Sequence, residues 1–142
     1  MNLRSVQRLV VECTRLYVIM SFITYKGDHM ARHLRTQSQI DAFIAQVIHQ
    51  ASHHASQVAQ IIQPLADAVL GHHAFSRLEV YERNGNLART CWVTVGANRW
   101  VFSYSYGQHV IELRKYSTRG PVVFQFDNHT SAAALSQQVS RL

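Results

Sequence analysis

Three histidines fall within six positions in the run Val47-Ile48-His49-Gln50-Ala51-Ser52-His53-His54-Ala55. On a helix His49 and His53 lie four residues apart and share one face, whereas His54 sits at the edge of the apolar stripe, nearer the core. Two imidazoles at that spacing are half of a zinc site, which needs a third protein ligand and usually a fourth. The residues one turn away on the same face are Ala45, Gln46, Ser56, Gln57 and Gln60. None is a carboxylate or thiolate. Gln50 stands where an HExxH helix would carry its general base. A solvated, histidine-bearing helix face is therefore the favoured reading, with His54 as a hydrogen-bonded, partly buried histidine. No metal and no cofactor are expected.

Other chemistry is equally sparse. Asp127-Asn128-His129-Thr130 leaves a strand and enters a helix, where free N–H groups could hold an anion and His129 could act as acid or base. A turn and a helix cap account for the same residues, with Thr130 or Asn128 as the cap. Cys91 is expected mid-strand on an inward face, where a thiol is inert packing. The chain contains no GxSxG, P-loop or GxGxxG sequence. No catalytic residue is assigned, and the expectation leans away from an enzyme.

The elements that would position these groups follow from periodicity. Residues 1–35 form a segment of uncertain structure. Leu3, Val6, Val10, Cys13, Tyr17 and Met20 have helical spacing, a short strand is equally arguable from Tyr17 to Tyr25, and Lys26-Gly27-Asp28-His29 reads as a loop. Met20 and Met30 are alternative starts to Met1. Residues 36–142 are expected to form a single α+β domain. Ser38 and Asp41 suit a capping box. Ile40, Ile44, Val47, Ala51, Ala55, Val58 and Ile62 then form one stripe of a helix reaching Gln63, ~39 Å at 1.5 Å per residue. Pro64 should kink or end it, and a further piece runs from Leu65 to Leu70.

Beyond His72-His73 the period falls from 3.6 to 2. Strands are expected at Phe75–Arg83, Leu87–Val95, Arg99–Tyr106, Gln108–Tyr116 and Pro121–Asp127. Asn84-Gly85 suits a type I′ turn between the first two. Such short connections permit only antiparallel neighbours, so the sheet is a meander. A C-terminal helix follows, with Leu135, Val139 and Leu142 turned inward. The fold class is a two-layer α+β sandwich: a long helix and a short C-terminal helix on one face of a five-stranded antiparallel meander.

Alternation turns Leu78, Val80, Cys91, Val93 and Val95 inward, as it does Ile111, Leu113, Val122, Phe124 and Phe126. Trp100, Phe102, Tyr104 and Tyr106 make an aromatic stripe on the same side. Such a stripe can stack bases, but a core wants the same residues, and core is favoured. The opposite face carries Tyr81, Trp92, Arg99, Arg114 and Tyr116, together with Thr90 and Ser103. Trp92, Tyr81 and Tyr116 beside Arg99 and Arg114 are residue types enriched at interfaces, and these five are the candidate binding residues.

The formal charge of +6 comes from twelve Arg and two Lys against eight acidic residues, without a consecutive basic run. That balance permits weak attraction to polyanions and says nothing about fold. Cys13 and Cys91 belong to no CxxC pair, so a reduced, cytoplasmic protein is expected. Glu12 and Arg15 interrupt the apolar N-terminal stretch, so neither a signal core nor a membrane span is expected. The leading function is a small non-catalytic interaction protein. It would self-associate as a homodimer through the outer sheet face or the long helix, with another protein partner also open. One alternative is charge-driven nucleic-acid binding through Arg4, Arg8, Arg15, Arg32 and Arg35, with no recognisable motif behind it. The other is a small-molecule or enzymatic site between sheet and helices, near His54, Tyr104 and His109.

Overall fold

The computed structural model describes residues 32–83 and 86–142. The expected N-terminal helix, the arguable strand at Tyr17–Tyr25, the Lys26–His29 loop and the Asn84-Gly85 turn lie outside the described residues. The elements run β1 (Arg32–Leu34), α1 (Gln37–His54), α2 (Ile62–Leu70), β2 (Phe75–Arg83), β3 (Asn86–Val95), β4 (Asn98–Ser105), β5 (Val110–Lys115), β6 (Val122–Phe126) and α3 (Ala132–Ser140). Three helices pack with one antiparallel sheet of order β1-β2-β3-β4-β5-β6, an α+β fold. The expected five-stranded sheet thus has a sixth strand. At three residues β1 is too short to show a period, and only its pairing of Leu34 with Leu78 reveals it.

The helical region differs more. The N-cap is Thr36, whose hydroxyl accepts from Gln39 N at 3.2 Å while Gln39 Oε1 accepts from Thr36 N at 3.2 Å. This capping box starts two residues before the expected Ser38–Asp41 pair. The single long helix to Gln63 is instead two helices, and the break comes at Ala55, nine residues before Pro64. Pro64 is the third residue of α2, where its missing N–H would have lacked a helical partner in any case. Ser52 Oγ donates to Ile48 O at 2.8 Å, a back-bond that loosens the last turn of α1.

Asn128 holds the break in place. Its Oδ1 accepts from Gln60 N at 2.9 Å and Ile61 N at 3.2 Å, its Nδ2 donates to Ser56 O at 2.7 Å, and its own N–H donates to Gln57 O at 2.9 Å. Four polar backbone groups that a continuous helix would have paired internally are satisfied from the loop after β6.

The core joins Ile44, Val58, Ile62 and Leu65 of the helical layer to Val80, Val93, Trp100, Leu113 and Phe126 of the sheet. Leu135 and Val139 of α3 complete it. Ser131 is the N-cap of α3, its hydroxyl accepting from Ala134 N at 3.1 Å, rather than the expected Thr130 or Asn128. Most inward residues match alternation, with Cys91↔Phe102↔Leu113↔Phe124 running in register across four strands. Val122 departs from it. An irregularity between Leu113 and Arg114 pairs Val122 with Arg114, and Val122 is 41% exposed. A bulge of this kind moves later side chains to the other face and strengthens the local twist. Irregularities between Phe75 and Arg77 and between Val80 and Glu82 act likewise on β2.

Candidate functional site

A cavity of about 480 Å³ lies between the helices and the sheet. From α1 its wall takes Phe43, Val47, Gln50 and His54, successive positions of one helix face, with Ala51 beside them. Leu65, Ala66 and Val69 of α2 close one side. The sheet supplies Leu78, Cys91, Val93, Phe102, Tyr104 and Ile111. The helical wall is set back by small residues, since Ala51, Ala55 and Ala66 stand where larger side chains would fill the gap. Those alanines within the apolar stripe were the sequence signal for a cavity. Thr90 and Ser103, which pair with each other and alternate to the outer face, also border it.

The larger polar side chains of the wall come from two places, Gln50 and His54 of α1 and Tyr104 and Tyr106 around the end of β4. His54 is exposed rather than partly buried, and Tyr106 is 53% exposed in the turn after β4, not at the end of an inward strand as expected. Tyr104 and Tyr106 meet edge to face with ring centroids 4.8 Å apart. Tyr104 Oη lies 3.3 Å from His109 Nδ1. His109 has φ 59°, a left-handed conformation uncommon outside glycine, and its N–H donates to Ser105 O at 2.8 Å. Histidine is among the residues that tolerate that region best, and the turn thereby carries the ring to Tyr104.

Cys91 is half-buried in the cavity wall. Burial pushes its thiol up to about 12, opposed by a hydrogen bond with the Phe102 backbone. At neutral pH it is a protonated thiol and a poor nucleophile.

The other described histidines do not line the cavity. His49 and His53 stack edge to face at 4.9 Å on the exposed side of α1, and His72 and His73 stack at 4.6 Å after α2. His72 Nδ1 accepts from Ala74 N at 3.0 Å, which ties that pair to its own turn. Among the described residues no three His, Cys, Asp or Glu side chains converge as metal ligands. The Asp127–Thr130 cluster is used internally. Asp127 N donates to Thr130 Oγ1 at 3.0 Å, His129 N donates to Asp127 Oδ1 at 2.8 Å, and Asn128 fastens the helix break.

On the outer face the register sets Glu79, Trp92, Val101 and Arg114 in one row. Glu79 pairs with Arg77 at 3.3 Å and Arg99 at 3.6 Å, and the Arg99 guanidinium lies 5.4 Å from the Trp92 ring centroid. Arg114 pairs with Glu112 at 2.7 Å and donates to Gly120 O at 2.6 Å. Val101, in the middle of the row, is wholly withdrawn from solvent. Trp92 and Tyr81 are half-buried. Tyr116 follows β5 with φ 69°, is 58% exposed, and reaches Asn98 Oδ1 at 3.4 Å. Arg4, Arg8 and Arg15 lie outside the described residues, and Arg32 and Arg35 are exposed at the start of the domain. No described helix is long and apolar enough to cross a membrane.

Residues 40–136 match the family model described as the integron cassette protein VCH_CASS1 chain. No curated protein matches the chain. The match covers more than half of the chain, which belongs to that family.

Proposed function

We propose that this member of the integron cassette VCH_CASS1 family is a non-catalytic binding protein that takes a small, mainly apolar molecule into the cavity between its helices and sheet. The observation that carries this reading is the cavity itself. Its volume of about 480 Å³ lies within the range of ligand sites, and its wall is mostly aliphatic and aromatic with a few polar side chains. The Cys91 thiol, kept protonated by burial, adds to the apolar character of that wall.

The test uses the neutral fluorescent probe N-phenyl-1-naphthylamine. We expect saturable enhancement at one site per chain, lost in Ala51→Phe, which fills the cavity from α1, while the variant keeps its cooperative unfolding. Absence of enhancement, or equal binding by a folded Ala51→Phe, would overturn the reading.

A second reading is self-association through the outer sheet face. It is supported by the exposed Tyr116 and by Trp92 stacked beneath Arg99. These are residue types that anchor interfaces.

A further inference from the structure

We infer that the ligand is an uncharged amphiphile, with an apolar tail in the cavity and one hydroxyl or carbonyl group read by Tyr104, which His109 holds in place. This rests on the cavity being a binding site, and it concerns what the cavity selects. The polar side chains at its wall are the amide of Gln50, the imidazole of His54, the phenols of Tyr104 and Tyr106 and the hydroxyls of Thr90 and Ser103. All of these are groups that both donate and accept hydrogen bonds, and the described wall contains no Asp, Glu, Lys or Arg. A charged head drawn in among them would lose its water without gaining a carboxylate, ammonium or guanidinium partner, whereas a hydroxyl or carbonyl would be fully matched.

Tyr104 is the best placed of the six. It is half-buried on the inner face of β4, between Phe102 and the rim residue Tyr106, so it meets a ligand where the apolar wall ends. The hydrogen bond with His109 sets its hydroxyl orientation. With Nδ1 as acceptor, Tyr104 donates to the ring and offers its lone pairs to a ligand hydroxyl. In the other tautomer the ring donates, and the phenol proton is free for a ligand carbonyl. Tyr104 is therefore a head-group reader and His109 a positioning residue. The left-handed backbone at His109 carries the ring to that position.

The experiment displaces N-phenyl-1-naphthylamine with four probes of equal chain length: 1-octanol, octanamide, octanoate and octylammonium. The alcohol and the amide are expected to compete at concentrations at least about tenfold below either ion. Tyr104→Phe should weaken octanol and octanamide several-fold more than it weakens the naphthylamine. His109→Asn, which tolerates the same backbone conformation, should weaken them in the same direction. If octanoate or octylammonium competes as well as octanol, the ligand class is wrong while the cavity still binds. If the alcohol and amide are unaffected by Tyr104→Phe, Tyr104 does not read the head group. If the naphthylamine itself fails to bind, the inference and the functional reading fall together.

Discussion

Cys91 illustrates how one residue type carries opposite meanings in different surroundings. Its strand position already implied an inert thiol, and burial raising it to about 12 agrees. The same shift is a stability statement. The folded state keeps the proton that an unfolded thiol gives up near its ordinary value of 9.0, so the Cys91 contribution is fully present below pH 9 and is lost as pH climbs toward 12. We expect Cys91→Ala to be less stable than the parent at pH 7 and to close part of that gap between pH 9 and 11. Denaturant titrations of both proteins across that range check this, and a gap that stays constant would refute the shifted thiol. The histidines teach the complementary lesson. His49, His53 and His54 are consecutive in type but divide between solvent and the cavity rim, a split the helical wheel already showed. What the wheel could not show was that His54 is left exposed by the end of its own helix.

At the scale of elements, the five long strands were legible because alternation is a local property of the chain. The observed strands differ from the expected ones by at most two residues at either end. The long helix was misjudged for the opposite reason. Its apolar stripe continues through Val58 and Ile62, so periodicity alone extends it. The interruption at Ala55 is held by Asn128, which is 68 residues away from Gln60. Asn128→Ala removes the acceptor for two backbone N–H groups and the donor to Ser56 O. The groups released are exposed or half-buried, so we expect a loss of about 1 kcal/mol, the net worth of ordinary hydrogen bonds, seen as a lower denaturant midpoint at unchanged slope. A variant as stable as the parent would mean that the turn at 55–61 holds itself.

For the whole molecule, the open question of assembly becomes a measurement. If the outer face joins two copies, native mass spectrometry should find a dimer, and Trp92→Ala combined with Tyr116→Ala should convert it to a folded monomer. A dimer that survives the double substitution would rule out that face. The sequence by itself determined the α+β class, the antiparallel meander and most inward residues, because each is written in near-neighbour spacing. Only the tertiary structure decided the helix break, the strand β1, the reversal of Val122 and the cavity. Each of these arises where distant segments meet: Asn128 against the 55–61 turn, Leu34 against Leu78, Arg114 against Val122, and small alanines on α1 and α2 facing the curved sheet. Spacing along a chain encodes which side a residue takes, but unfilled space depends on how two layers of unlike curvature come together.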